Sequence, residues 1–536
     1  MSVLPFWPLP SRVEHGPTFN QPLDPAFRIV ISGVAELNSL LQSSARRYLE
    51  IIALPSAPMT KWCSNETSHT PLLELVINSL SNSSTLGVET DESYTLHVPA
   101  NSTSANISAP TIFGAMRGLE TFSQLIGSAS PTSSPVSPSS PGVCAGLEIT
   151  DTPRFAHREL LIDTARYFFP ASFLHHAIDA MSYSKLNVLH WHLIDGQSFP
   201  LESQALPMLA QAGAFRPHSS GCDQDRCTYT SADVAGVVLY GLKRGVRVIP
   251  EFDTPGHAKS WGVAPSYANA TVRGCTLNAD LVPIDPTASI AFDLVSTLLH
   301  EFLSPAEPSS SHAATAPQLS AFPDESVHLG GDEVHAACYE HSLLCSECNR
   351  IARYVAAHNM TSASLVDEWN GRVHAVTASL RRTPIVWEEA VTLSADGGAS
   401  LAPSTIVQVW KDAATLHALA SRGRKCVLAA GWYVEGKSKF ADFYEVEPFA
   451  AGGEWTPQQK ARVLGGGVSK WGCSGFCPFP DTSAKFDAKV WPLGCAVAER
   501  LWSPYGVSNT TDGHVMSRIE AHRSRLVARG VAAGEI

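Results

Sequence analysis

The chain has 536 residues, 44% of them hydrophobic and 16% charged, with 37 glycines, 37 prolines and a net charge of -12. Its length exceeds one ordinary domain and its composition excludes a disordered or fibrous chain, so two folded domains are expected, one of them large enough to be a barrel. The acidic balance, without clustered Lys and Arg, argues against a nucleic-acid partner; no apolar run approaches the ~20 residues of a membrane span, so a soluble protein is expected.

Met1 to Pro10 lacks a basic start and is cut by prolines, so it does not read as a signal peptide; the expectation is that a targeting segment is missing from this chain or was never there. Alternating apolar stretches at Leu72 to Ile77 and Tyr94 to Val98, with a helix over Thr111 to Ile126, predict a small amino-terminal α/β domain. Residues 127–143 are built from Gly, Ser, Ala and Pro with Thr and Val, too poor in apolar area to fold, and read as a disordered excursion. A similar stretch at 304–320 reads as a surface insertion, and the domains are set at 1–153 and 154–536.

Twelve cysteines occur with seven Asn-X-Ser/Thr sites, at Asn65, Asn82, Asn101, Asn106, Asn269, Asn359 and Asn509. Together they point to a glycoprotein of the secretory pathway, lysosomal, vacuolar or secreted. Cys222 and Cys227 can close a small disulfide. Cys345-X-X-Cys348 resembles half a zinc site, but no second Cys-X-X-Cys completes it, so structural disulfides are expected.

From His157 onward, eight short β-branched or apolar runs alternate with helical stretches. They are Glu159 to Asp163, Leu186 to Ile194, Val246 to Pro250, Val327 to Leu329, Pro384 to Trp387, Thr405 to Trp410, Lys425 to Ala429 and Val463 to Trp471. Alternation over this length predicts an α/β fold, a (β/α)8 TIM barrel whose functional residues follow the strands. A doubly wound open sheet is the alternative, but it does not predict functional residues after nearly every strand. In strand order those residues are Arg166, Asp195, His257, the pair Asp332-Glu333, Trp387, Trp410, Trp432-Tyr433 and Trp471. A single Trp is more often core than ligand; several at strand ends beside carboxylates suggest a sugar pocket, where ring faces stack on the sugar and charged groups bind hydroxyls.

Asp332 and Glu333 follow a short apolar run and Gly330-Gly331. Neighbouring strand side chains point to opposite faces, so both carboxylates serve one pocket only if the backbone leaves the pleat, which the glycines permit. The alternative is a helix start, where acidic residues are also favoured. Val327 to Val334 alone leave both open.

His190-Trp-His-Leu-Ile-Asp-Gly-Gln-Ser-Phe-Pro200, Pro250-Glu-Phe-Asp-Thr-Pro-Gly-His257 and His328-Leu-Gly-Gly-Asp-Glu-Val334 resemble the signature segments of family 20 β-N-acetylhexosaminidases of the eukaryotic lysosomal type. Asp163 to Phe168, Ala498 to Ser503 and the opening Phe6-Trp-Pro-Leu-Pro10 extend the resemblance across nearly the whole chain. It implies an amino-terminal domain without catalytic residues, a catalytic barrel, no cofactor and no metal, and retaining, substrate-assisted removal of terminal β-GlcNAc or β-GalNAc from glycans. On that scheme Glu333 is the general acid and base, while Asp332 binds the acetamide N–H and raises the pKa of Glu333. Asp195 and His257 support the pair; Arg166 binds sugar hydroxyls; Trp387, Trp410 and Trp471 wall the pocket; Tyr433 orients the acetamide oxygen. Glu435 reaches the 6-hydroxyl, His190 and His192 are structural, and relatives of this family often form homodimers.

Where the family has Trp-Gly-Glu after the eighth strand, this chain has Trp471-Gly-Cys473; Gly467 stands where Glu is usual, Glu435 where Asp is, and Gly196 where a second Asp is common. Gly436, in place of the Arg of isoforms that accept anionic sugars, implies neutral substrates. The resemblance also implies disulfides Cys63–Cys144 and Cys275–Cys338, lacks the usual carboxy-terminal pair, and leaves Cys473, Cys477 and Cys495 to bridge otherwise. Two rival readings are a non-catalytic or weakened sugar-binding relative, suggested by Cys473 and Gly467, and a metal hydrolase built on His190-X-His192.

The first prediction concerns Cys473. Loss of a hydrogen bond to a charged carboxylate costs ~10- to 150-fold in efficiency unless another group compensates. Compensation is expected, so Cys473→Glu should leave kcat/KM on a GlcNAc substrate within about tenfold of wild type; a larger gain would show an uncompensated site.

Overall fold

The computed structural model describes residues 5–54, 63, 66–128, 141–215, 222, 227–275, 281–305, 320–342, 345–435, 439–472, 483–506 and 514–536. Its amino-terminal sheet has six strands: β1 (Arg12–Ser32), β2 (Leu72–Ser79), β3 (Tyr94–Val98), β4 (Ser104–Ala109), β5 (Ile126–Ser128) and β6 (Pro141–Asp151), in the order β1-β2-β4-β3-β6-β5. Period-two burial drives the pairing: Leu75 and Ile77, then Tyr94, Leu96 and Val98, then Ala105, Ile107 and Ala109 share the buried face. They meet the helices Ser39–Ile52 and Ile112–Gln124 through Leu41, Tyr48, Leu119 and Phe122. Asn38 and Thr111 cap these helices by accepting backbone N–H bonds.

The expected strands at 72–77 and 94–98 and the helix at 111–126 are all present. β1 went unread because Pro17, Pro22 and Pro25 interrupt its alternation. It tolerates them by changing partner midway, antiparallel to β6 up to Pro22 and parallel to β2 from Leu23, with register shifts in both ladders. The excursion set at 127–143 is narrower than expected, since Gly127 and Ser128 pair with Gly142 and Pro141. Residues 129–140 and 306–319 lie outside the described residues.

Eight parallel strands close the barrel: β7 (His157–Asp163), β8 (Val188–Ile194), β9 (Arg247–Phe252), β10 (Ser326–His328), β11 (Thr383–Trp387), β12 (Ile406–Val409), β13 (Lys425–Leu428) and β14 (Val463–Lys470). Each coincides with one of the runs read from the sequence, and the open sheet is excluded by closure of β14 on β7. Outward residues such as Leu160, Trp191, Val407 and Val468 pack against the surrounding helices. Inward residues form layers. Val188, Ile249, Ile385, Ile406 and Val427 fill one apolar layer, and Leu161, Trp387 and Ala429 another at the mouth, with Trp410, Tyr433 and Trp471 against them. Buried Glu159, His190, Glu251, His328 and Gln408 occupy the same inward faces between those layers.

Disulfides join Cys63 to Cys144, Cys222 to Cys227, Cys275 to Cys338 and Cys345 to Cys348. Cys495 is a free, buried thiol, which corrects the expectation that it is bridged; it packs in the barrel's outer apolar layer. Cys473 and Cys477 lie outside the described residues. Among the described residues no helix is long and apolar enough to cross a membrane.

Sheet and barrel are joined by a buried ionic cluster. Glu92 accepts from Arg117 Nε at 2.7 Å, Arg158 Nη2 at 2.6 Å and Asn187 Nδ2 at 2.8 Å. Beside it Lys185 Nζ donates to Asp151 Oδ2 and Tyr94 Oη, both at 2.9 Å. Glu92→Ala would strand two buried guanidiniums, so a loss of ~3 to 5 kcal/mol is expected in denaturant unfolding; a loss under about 1 kcal/mol would mean the arginines re-pair.

Candidate active site

β10 stops at His328, and the chain then turns through Gly330 (φ 70°), Gly331 (φ 96°) and Glu333 (φ 46°). A Cβ at Gly330 would stand 1.7 Å from Asp253 Oδ1, so no other residue fits there. The backbone therefore leaves the pleat as one reading required. The helix-start alternative fails, because the next helical turn begins only at Ala336. Asp332 and Glu333 emerge together, with side chains 15% and 46% exposed, the acid being the more accessible. Glu333 and His257 (φ 52°) both hold left-handed conformations that non-glycine residues adopt only when their surroundings enforce it.

His257 connects the pair to the barrel. Its Nε2 lies 3.3 Å from Glu333 Oε2 and 3.7 Å from Asp332 Oδ2, while Nδ1 is 3.2 Å from Asp195 Oδ2. Asp195 also pairs with Arg166 Nη2 at 2.6 Å and receives His192 Nε2 at 3.0 Å. Arg166 is further held by Asp163 at 3.2 Å, and its guanidinium lies 5.1 Å from the Trp471 ring centroid. Arg166, Asp195, His257, Asp332 and Glu333, read from four separate strands, thus form one chain of contacts.

Trp387, Trp410, Tyr433 and Trp471 form the aromatic wall, with Tyr433 stacked on Trp471 at 6.5 Å and 24°. Trp432 does not join them: it is buried in the outer layer and donates to Phe443 O. Glu435 is in the wall's polar seam, its Oε1 accepting from Trp471 N at 2.8 Å and Lys470 Nζ at 2.9 Å.

Beneath the mouth, Glu251 receives Trp387 Nε1 at 2.8 Å, His190 Nε2 at 2.9 Å and His192 Nδ1 at 2.5 Å. His190 also meets Glu159, which accepts from Gln408 at 2.8 Å. Burial opposes the His190 imidazolium, but Glu159 and Glu251 outweigh it and push its pKa up to about 9. Three acid–histidine groups, His190/Glu251/His328, His192/Asp195/Asp253 and Asp253/His257/Asp332, have the spacing of metal ligands. Their donor sets already hold internal cations: Arg166 sits on Asp195, and His190 and His192 bridge carboxylates with both ring nitrogens.

Gly467 faces Glu159 in register, and a Cβ there would come 2.6 Å from that side chain. The carboxylate expected at position 467 is supplied by the neighbouring strand. Glu159, Glu251, Asp253 and Lys470 were not singled out as site residues. Glu251 and Asp253 lay in a quoted motif, and the signal that finds them is charge at alternate positions of a buried strand.

One electrostatic expectation is reversed. The opposite of a raised Glu333 pKa is found: His257, with Nε2 3.3 Å from Oε2, holds it below the usual carboxylate range, against the effect of burial. Burial, with Glu251, Glu389 and Glu333 nearby, pushes Asp332 up to about 6 despite His257. His257 itself is disfavoured as a cation by burial but is held well above its ordinary value by Asp195 and Asp332. Several buried polar atoms here have no hydrogen-bond partner: Asp332 Oδ1, Glu435 Oε2, Trp471 Nε1 and Gln197 Oε1. Leaving buried polar atoms unpaired is costly, and these four lie on residues at or next to those read as site residues from the sequence.

Residues 155–505 match the catalytic-domain model of glycosyl hydrolase family 20, and residues 6–125 match a model described as β-acetyl hexosaminidase like. β-Hexosaminidase subunit beta of Sus scrofa is 33% identical over 99% of this chain and 92% of its own length. The Homo sapiens subunit beta is 35% identical over 83% of this chain and 72% of its own. Among solved structures, the Flavobacterium johnsoniae chitobiase superposes with a TM-score of 0.79 at 26% identity, covering 98% of this chain and 73% of that one.

The charge pattern predicts a pH dependence. Asp332 has a folded pKa above its unfolded value, so the stability it contributes is full below ~4 and is lost as pH rises through about 6. Thermal unfolding should therefore show the wild type losing more stability between pH 4.5 and 7 than Asp332→Asn, with ~0.5 unit precision in pH sufficing to see it. Parallel curves for the two proteins would remove Asp332 as a contributor.

Proposed function

The chain belongs to glycosyl hydrolase family 20, and from that premise we propose that it is a retaining exo-β-N-acetylhexosaminidase releasing terminal GlcNAc or GalNAc from glycans, with the substrate's own acetamide oxygen as nucleophile. The observation that carries this reading is the paired carboxylate turn. Adjacent residues on one turn approach a sugar from one side, so Asp332 and Glu333 are poorly placed to flank the bond as acid and opposed nucleophile. Glu388 and Glu389, which follow Trp387, are engaged by Trp410 and Lys411. A nucleophile carried by the substrate resolves the shortage, and intramolecular attack of this kind can remove ~7 to 11 kcal/mol of barrier.

In the resulting sequence, the sugar covers the pair and excludes water, which favours neutral carboxyl over carboxylate. The proton held at His257 Nε2 moves to Glu333, and Asp195 keeps the imidazole in place through Nδ1. Glu333 then protonates the glycosidic oxygen as the acetamide oxygen attacks the anomeric carbon, giving an oxazolinium ion. Asp332 Oδ1, without a partner in the free protein, accepts from the acetamide N–H and offsets the positive charge. Ionised Glu333 next takes a proton from water, which opens the oxazolinium with retention. Tyr433 holds the acetamide oxygen, and Arg166 and Glu435 bind hydroxyls.

A non-catalytic relative is disfavoured by the intact contact chain from Arg166 to Glu333 and by the carboxylate that Glu159 restores beside Gly467. Four disulfides, together with exposed sequon asparagines at 82, 101, 106, 269 and 359, support a secretory or lysosomal location.

Glu333→Gln should lose ~10² to 10⁴ in turnover on poor leaving groups and much less on activated aryl glycosides. A thiazoline mimic of the oxazoline should inhibit strongly, and the matching β-glucoside should be nearly inert. Equal losses on good and poor leaving groups would contradict the acid assignment, and comparable rates on glucoside and N-acetylglucosaminide would contradict the acetamide nucleophile.

A further inference from the structure

On β14, Val468 points outward into the layer between barrel and helices, and Lys470, two residues on, shares that side. A lysine with a 6% exposed side chain there needs a partner, since a buried unpaired ammonium is strongly disfavoured. It finds two. Its Nζ donates to Glu435 Oε1 at 2.9 Å and to the carbonyl of Trp471. Trp471 N donates to the same Oε1, so one carboxylate oxygen carries both protein donors while Oε2 is buried without any. Two donors fixed on one oxygen stop the carboxylate from rotating, and they leave a single acceptor of defined direction.

From this geometry we infer that Lys470 is a specificity-determining positioning residue: it locks Glu435 from behind the pocket wall so that Oε2 accepts the 6-hydroxyl of a neutral sugar. The inference rests on the proposed terminal N-acetylhexosamine substrate and extends it to this edge of the ring.

The test compares an aryl β-N-acetylglucosaminide with its 6-deoxy analogue on wild type, K470M and K470R, with folding checked by thermal unfolding. Wild type should turn over the 6-deoxy compound ~10- to 150-fold less efficiently, the range for a lost hydrogen bond to a charged group. K470M should raise KM for the parent with kcat changed by less than about threefold, and should shrink the 6-deoxy penalty to about threefold or less. K470R, which keeps charge and donors, should retain the penalty. A wild type indifferent to the 6-hydroxyl overturns the inference without any variant. So does a K470M that slows both substrates equally and keeps the penalty, the mark of a merely structural lysine. Either result leaves turnover of the parent and thiazoline inhibition intact, whereas a wild type inert on the parent overturns the proposed function and this inference with it.

Discussion

The carboxylate of Asp195 is the constraint on which the site depends. One buried group receives Arg166, His192 and His257, so it fixes the Arg166 guanidinium, ties it to the polar interior of the barrel, and sets the imidazole that touches Glu333. Burial opposes its ionisation, but Arg166 and His257 outweigh that and hold it far below the carboxylate range. A permanently charged Asp195 in turn keeps His257 protonated beside Glu333. On the proposed mechanism the proton rests on the histidine in the free protein, and substrate binding changes the solvation of Glu333.

Below Asp195 the interior is not the apolar filling usual for this architecture. Glu251 gathers His190, His192 and the Trp387 indole, and Glu159 gathers His157, His190 and Gln408. Buried ionic groups of this kind add little net stability compared with apolar replacements and are strongly destabilising when half removed. Their consequence here is orientation: the Trp387 indole at the mouth is held by Glu251, and His190 and His192 are each fixed between two carboxylates.

The departures from the family pattern follow the same physics of local charge balance. Gly467 leaves room for Glu159 on the adjacent strand, so the carboxylate changes strand without leaving the layer. Lys470 Nζ in turn pairs with Glu435, which stands where Asp is usual. The first change moves a carboxylate from one strand to the next, which a comparison of one motif at a time registers only as a loss.

The barrel was legible in the sequence because parallel strands buried on both faces read as short continuous apolar runs, and all eight were found. The acid pair, Arg166, Asp195, His257 and the aromatic residues were legible for the same reason: chemistry at a barrel mouth is placed by strand ends. β1 was hidden by its prolines, since a strand that changes partner midway has no single period. Only the tertiary structure decided which charges meet. The low pKa of Glu333 comes from a histidine 76 positions away in the chain, the filling of the space at Gly467 from a residue on another strand, and the orientation of Glu435 from a lysine reaching around the end of its own strand. Electrostatic interactions depend on distance and burial in space, and a sequence records neither.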